Sequence, residues 1–109
     1  MVKVLNESDI MLTRGDTAAI QLTITDEQGE EYQIKEGDSV YLTIKYAYMT
    51  EGYLVRKVLE DGFFTFRSED TINMNFGSYD YDIRLINSTI TATVLTGTFI
   101  VGGGTNESN

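Results

Sequence analysis

The stretch Tyr79–Leu85, YDYDIRL, alternates strictly between apolar and charged side chains. In an extended chain one face carries the apolar members, which are Tyr79, Tyr81, Ile83 and Leu85. The opposite face carries the charged members, which are Asp80, Asp82 and Arg84. A period of two is typical of a β-strand with one face in a core and the other in water. The sequence therefore predicts a strand over Tyr79–Ile86.

The same period recurs towards the amino terminus, in Thr17–Thr25 (TAAIQLTIT) and Ser39–Tyr48 (SVYLTIKYAY). Because parity within a strand decides which face a side chain occupies, the aliphatic residues in phase are predicted to form the core. These are Ile20, Leu22, Ile24, Val40, Leu42, Ile44, Ile83, Leu85 and Val94. Tyr46, Tyr48, Tyr79 and Tyr81 share that phase and are also placed in the core. Tyr41 and Tyr53 are the tyrosines expected at the surface.

Between these strands, Asp61–Gly62 is a favourable two-residue turn. It predicts a hairpin between Tyr53–Glu60 and Phe63–Ser68, followed by a connection over Glu69–Gly77. Further strands are expected at Ile90–Leu95 and Thr98–Val101, separated by a break at Thr96–Gly97. The hairpin has apolar side chains on both faces, so its second face needs a cover. Two covers are possible for that face. One is a loop of the same chain such as Glu69–Phe76, and the other is a second subunit.

Seven to nine short strands without a helix predict an all-β fold, an immunoglobulin-like antiparallel β-sandwich. A five-stranded barrel is the competing architecture. The 109 residues are one domain's worth of chain. We expect a β-sandwich domain over residues 1–101 and a flexible carboxy-terminal tail over residues 102–109.

The composition argues against most enzyme chemistry. The chain has no cysteine and no histidine, which removes thiolate and imidazole nucleophiles, bases and metal ligands. Seventeen acidic residues against eight basic ones give a net charge of −9, so we expect binding neither to nucleic acid nor to an anionic membrane. No acidic set has the spacing of a calcium loop, and Arg14-Gly15-Asp16 is read as a glycine turn. We predict no enzyme activity, no cofactor, and no catalytic, cofactor-binding or metal-binding residue.

Four segments of the sequence, taken in order, carry a resemblance to a known family. They are Arg14-Gly15-Asp16-Thr17, Gly37-Asp38-Ser39-Val40, Asp70-Thr71 with Gly77-Ser-Tyr-Asp-Tyr-Asp-Ile-Arg-Leu85, and Thr96-Gly-Thr-Phe-Ile-Val101. Over about residues 10–101 the chain resembles small phage and prophage structural proteins, including the amino-terminal domains of siphophage baseplate upper proteins. The resemblance implies a β-sandwich virion module in the tail or baseplate, with no catalytic residues to transfer. Because baseplate upper proteins continue into further domains, attachment of a receptor-binding partner does not transfer.

The function expected from these observations is protein–protein assembly, with other virion proteins or with further copies of the chain. The candidate interface residues are Tyr53, Val55, Leu59 and Phe63 of the predicted hairpin. The resemblance implies a virion protein assembled in the host bacterial cytoplasm. The start of the sequence, MVKVLNESD, lacks the apolar run of a secretory signal, which is compatible with that location. The alternative is a carbohydrate-binding or adhesin-type sandwich of a bacterial surface protein, in which case a glycan would be bound. A third alternative is an accessory module of a larger enzyme.

Overall fold

A computed structural model describes residues 2–4, 9–25 and 28–103, with side chains from residue 9 onwards. Within these residues there are eight strands and one single-turn helix, which confirms the all-β class. In chain order they are β1 (Val2–Val4), β2 (Ile10–Thr13), β3 (Ala18–Gln21), β4 (Ser39–Lys45), β5 (Val55–Val58), β6 (Phe63–Phe66), α1 (Ser68–Thr71), β7 (Gly77–Ile86) and β8 (Thr91–Gly102).

The strands form a large curled sheet and a small one. The large sheet has the order β1-β2-β8-β7-β4-β5, and the small sheet pairs β3 with β6. Neighbours are antiparallel except β2 and β8, which run parallel with Ile10 opposite Phe99 and Thr13 opposite Gly102. This parallel pair brings both ends of the described chain to one end of the large sheet. The sequence did not predict β1 or β2, since each is too short to show an alternation.

The core is a single cluster formed by the inward faces of both sheets. Five predicted core residues are buried in it: Val40, Leu42, Ile44, Ile83 and Leu85. Four others pack against it and are only half-buried: Ile20, Leu22, Ile24 and Val94. The small sheet covers the large one incompletely, because β3 ends at Gln21 and leaves Leu22 and Ile24 beyond its end.

The carboxy-terminal strand is longer than the sequence predicts. β8 is one strand of 12 residues, so the predicted break at Thr96–Gly97 is wrong. Its pairing with β7 shifts where Ile83 lies opposite Leu95 and Arg84 lies opposite Thr93, which leaves Val94 as the extra residue of a β-bulge. A bulge changes the phase of the alternation. It lets a single strand keep Ala92 and Leu95 on the same face although they differ in parity.

The predicted hairpin is wrong, although its turn is correct. Asp61 and Gly62 both have positive φ, 53° and 86°, as a two-residue hairpin turn requires. The flanking strands then diverge: β5 pairs with β4 in the large sheet and β6 pairs with β3 in the small one. Among the described residues, the bridge from Glu60 to Phe63 is what remains of the hairpin. The turn is therefore a corner at which the chain changes sheets, and each strand meets the core with its own inward face.

The predicted turn at Arg14–Asp16 is confirmed, and it is tied to a helix that the sequence did not predict. Gly15 has a φ of +82°, and its amide donates a hydrogen bond to Oγ1 of Thr71 in α1 at 2.8 Å. Asp70 accepts a hydrogen bond from the Arg67 amide at 2.7 Å and so closes the start of that helix. Thr71 is a polar residue that is fully buried in the described part of the chain.

Two further features complete the end of the fold where β7 begins. The Tyr79 hydroxyl donates a hydrogen bond to the Asn75 carbonyl at 2.6 Å. This bond links the connection between α1 and β7 to the start of β7. Gly102, where the predicted tail was expected to begin, is the last residue of β8. Residues 104–109 of that tail lie outside the described residues.

Candidate interaction surface

The four candidate interface residues do not form one surface. Val55 is 8% exposed and belongs to the core, and Leu59 packs against the same core. Tyr53 is 50% exposed just before β5, whereas Phe63 is 38% exposed on β6 in the other sheet. The reason is the corner at Asp61–Gly62, which sends the two halves of the predicted hairpin to different sheets. Of the four, Tyr53 lies beside a coherent exposed patch.

That patch is the outward face of β4 and β5, where Arg56 lies between two tyrosines. Its guanidinium carbon lies 4.4 Å from the ring centre of Tyr53 and 5.5 Å from that of Tyr41. Its Nε donates a hydrogen bond to Oγ1 of Thr43 at 3.2 Å. These contacts hold the arginine flat against the sheet while one side stays exposed. Tyrosine and arginine are the residues that most often dominate binding energy at protein interfaces.

The pairing register arranges the outward side chains of β5, β4 and β7 in rows across the sheet. One row is Arg56, Thr43 and Asp82, and the next is Val58, Tyr41 and Arg84. Arg84 approaches Asp82 within its own strand at 3.7 Å. We call the surface made by these two rows and Tyr53 the tyrosine–arginine face. Arg56 lies on one side of β4, and Asp82 lies with Arg84 on the other side.

The free edge of β5 is protected by a charge that points inwards. Lys57 shares the inward parity of Val55, and its Nζ lies 2.6 Å from Oδ2 of Asp70 in α1. Its ammonium also lies 5.8 Å from the ring centre of Phe66. An inward-pointing charge on an edge strand opposes the addition of another strand. The ion pair links β5 to α1, and Met74 of the same connection packs against the core, whereas Ile72 and Phe76 remain exposed.

A second exposed patch lies on the loop between β4 and β5. Tyr48 is 78% exposed, so its predicted place in the core is wrong. β4 ends at Lys45 and a turn follows, in which the Met49 amide donates a hydrogen bond to the Tyr46 carbonyl at 3.1 Å. Because the chain is no longer extended there, the alternation does not decide which way Tyr48 points. The Tyr48 ring stacks on Tyr46 at 5.1 Å and an interplanar angle of 9°, and Tyr46 contacts the buried Tyr79 at 5.3 Å. The stack presents one flat aromatic surface to solvent.

At the opposite end of the sheet, Asp38 joins two loops. Its Oδ2 accepts hydrogen bonds from the Tyr32 hydroxyl at 2.8 Å and the Lys35 amide at 3.0 Å. Its Oδ1 accepts one from the Asn87 side chain at 3.0 Å. These donors, with Asn87 contributing most, lower the pKa of Asp38 below its ordinary value of 3.8. The network connects the loop before β4 to the loop between β7 and β8.

We expect Asp38→Asn to be less stable than the wild type near neutral pH. Because folding lowers the pKa of Asp38, its contribution is present above the ordinary pKa and is lost as the pH falls through the lower folded value. The difference between the two proteins in urea midpoint should therefore be largest at about pH 7 and shrink towards about pH 2. If the difference in urea midpoint does not change with pH, the negative charge of the Asp38 carboxylate does not contribute to the link between the two loops.

Acidic side chains on the outward face do not gather into a metal centre. In residues 9–25 and 28–103 no group of three or more acidic side chains is placed to share an ion. Asp80 and Asp82 instead line an open depression of about 400 Å³ together with Lys45 and with Thr96 and Thr98 of β8. The depression lies on the outward face of β7 and β8, where Asp80 is paired with Thr98 and Asp82 with Thr96. No helix of the described chain is long and apolar enough to cross a bilayer.

Comparison of the chain with protein-family models, with curated proteins and with solved structures finds no match.

Proposed function

We propose that the chain is a non-enzymatic structural module of a phage or prophage particle, associated with the tail or baseplate and acting by protein–protein assembly. The tyrosine–arginine face is the observation that carries the proposal. It combines the exposed ring of Tyr53 and the half-buried ring of Tyr41 with an arginine held between them, on neighbouring antiparallel strands. In this role the protein is assembled in the host bacterial cytoplasm and resides in the virion.

The segments of sequence that carry the phage resemblance contact one another in the fold. The Arg14-Gly15-Asp16-Thr17 turn and the Asp70-Thr71 pair are joined by the hydrogen bond from Gly15 to Thr71 at 2.8 Å. The rest of that third segment lies in β7 and the fourth segment lies in the neighbouring β8, with Tyr79 opposite Phe99. The second segment runs into β4, where Val40 lies opposite Leu85 of β7.

We also propose that the two sheets form an immunoglobulin-like sandwich. In that fold one sheet has the order G-F-C-C′, and strands B and E pair in the other. The order β8-β7-β4-β5 and the pair β3–β6 correspond to this arrangement. The bond from the Tyr79 hydroxyl to the Asn75 carbonyl corresponds to the tyrosine corner that precedes strand F.

Membership of a particle is tested by fractionating the lysate of the strain that encodes the chain. After prophage induction, particles are separated on a density gradient and their proteins are identified by mass spectrometry. We expect peptides of this chain to sediment with the particles, in a constant ratio to the other tail proteins. If the chain stays at the top of the gradient while tail proteins sediment, the proposal is wrong. A cytoplasmic protein of similar mass serves as the control for trapping.

Carbohydrate binding is the second candidate, favoured by the aromatic stack at Tyr48. A flat exposed ring backed by a second ring is a surface on which a sugar can stack. The test is retention of the protein on insoluble cell-wall polysaccharide, comparing wild type, Tyr48→Ala and Tyr53→Ala. Assembly as the function predicts no retention of any of the three. Retention that is lost in Tyr48→Ala and kept in Tyr53→Ala would favour the glycan function instead.

A further inference from the structure

Opposite charges lie on the two sides of β4 along the tyrosine–arginine face. Arg56 on β5 and Asp82 on β7 occupy the same row, with Thr43 between them. Asp80 lies one row farther along β7, opposite Lys45, and lines the same depression as Asp82. The face therefore has a basic side with Arg56 on β5 and a side of net negative charge on β7, where Asp80 and Asp82 outnumber Arg84.

The basic side is already ordered before any partner arrives. Arg56 is held by two ring contacts and by its hydrogen bond to Thr43 at 3.2 Å. An arginine side chain loses substantial rotamer freedom when a partner immobilises it. Holding it in advance removes much of that cost, so Arg56 is prepared to meet a carboxylate. The chain itself is rich in such groups, with a net charge of −9.

We infer that a second copy of this chain binds to the tyrosine–arginine face, with Arg56 of each copy against Asp82 of the other around a twofold axis along β4. The inference rests on the proposed assembly function and names the partner of that face. It uses the face of the sheet because the inward-pointing Lys57, paired with Asp70 at 2.6 Å, closes the edge of β5.

The register makes the face complementary to itself. A half-turn about an axis along β4 keeps each row at its height and exchanges β5 with β7. Arg56 then meets Asp82 twice, and Val58 meets Arg84 twice, as an isologous interface requires. Tyr41 meets its own copy at the axis, and the depression beside Asp82 accommodates the incoming guanidinium.

The same geometry keeps the association weak. Lys45 meets its own copy near the axis, although Asp80 lies opposite it in each chain. Two chains of charge −9 also repel each other. Three strands spaced about 4.8 Å apart make a narrow face, smaller than the roughly 800 Å² per partner of a stable complex. We therefore expect a dimer at high protein concentration and in the crowded arrangement of an assembling particle.

The test is a charge exchange, read by sedimentation equilibrium up to about 0.5 mM protein. Arg56→Asp and Asp82→Arg are each expected to weaken dimerisation at least about tenfold, because each places like charges against one another. The double variant keeps the net charge of −9 and restores the opposite pairing, so its dimerisation should return to within about threefold of wild type. Glu36→Arg and Lys35→Asp, both exposed in the loop before β4 and away from the face, give the same charge changes and should leave dimerisation intact.

A monomeric wild type over the whole range would overturn the inference. It is equally overturned if both single variants dimerise as the wild type does, or if the double variant dimerises no better than the singles. Urea unfolding of every variant separates a lost interface from a lost fold. The particle fractionation is independent of these measurements. If the chain sediments with particles but the purified protein is monomeric, the twofold contact is wrong and the assembly function is retained.

The position of the axis has its own test, because the chain contains no cysteine. Lys45→Cys introduces a single thiol beside the axis and removes the like-charge contact there. A short bismaleimide linker should therefore join two Lys45→Cys chains efficiently, whereas Thr23→Cys, exposed on the other side of the molecule, should stay monomeric. Equal cross-linking of the two variants would contradict an axis along β4.

Discussion

Leu42→Ala is expected to lower the free energy of unfolding by about 2–5 kcal/mol. Leu42 is fully buried at the centre of β4, paired with Lys57 on one side and Ile83 on the other. Because neighbouring strands hold β4 on both sides, the backbone has little freedom to close the cavity. Urea unfolding at fixed pH and temperature measures the loss. A loss below about 0.5 kcal/mol would contradict the burial of Leu42.

The size of this effect calls for a milder variant and a control. Small domains are stable by about 5–15 kcal/mol in total, so Leu42→Ala can leave a large unfolded fraction. Ile44→Val, on the same inward face, removes one methylene and should cost about 0.5–1.5 kcal/mol. Thr96→Ala, on the exposed face of β8, should cost less than about 1 kcal/mol. This order of losses follows from the inward and outward faces of the strands.

Thr71→Val is expected to lower the free energy of unfolding by about 1–3 kcal/mol. Valine fills nearly the same volume and has a similar helix propensity, so the variant isolates the hydroxyl. Without that hydroxyl the Gly15 amide, which now donates to it at 2.8 Å, is left without an acceptor in a partly buried place. The turn before β3 and the helix before β7 would lose their direct link.

Thr71→Ser is the matched variant, since it keeps the hydroxyl and removes the methyl group. It should cost less than Thr71→Val if the hydrogen bond is what matters. The reverse order would mean that Thr71 contributes by packing and that Gly15 does not need its acceptor. Both variants are measured by urea unfolding beside the wild type.

Strand faces were predictable wherever a strand is covered on one side by the core and on the other by water. In β4 and β7 the parity of the sequence gives Leu42, Ile44, Ile83 and Leu85 as buried, and the structure confirms each of them. Turns that depend on positive φ were also predictable, as at Gly15 and Asp61–Gly62. Both kinds of signal are local, because each depends on a few neighbouring residues.

Strand pairing was not predictable, because it depends on distant contacts. Nothing local distinguishes a hairpin at Asp61–Gly62 from a corner between two sheets. The bulge at Val94 hid a continuous β8, since one extra residue reverses the parity. Tyr48 kept the parity of β4 beyond the end of that strand, where the turn at Tyr46–Met49 replaces the extended chain.

The candidate surface was predictable only in part. Tyr53 was correctly expected at the surface, whereas Tyr41 is half-buried beneath Arg56. No sequence motif marks Arg56 as part of a binding surface. Its alternation with Val55 and Lys57 gives its outward direction, but its tyrosine neighbours follow from the register between β4 and β5. The opposition of Arg56 and Asp82 across β4 likewise needs two long-range pairings.

The central claim is that the chain works by assembly into a phage or prophage particle. Its most direct test is deletion of the coding sequence, followed by electron microscopy of the particles released after induction. We predict particles with a missing or incomplete tail end, restored by wild-type protein supplied in trans and not by Arg56→Asp. The Arg56→Asp/Asp82→Arg double variant should restore the particles again. Intact, complete particles from the deletion strain would contradict the claim.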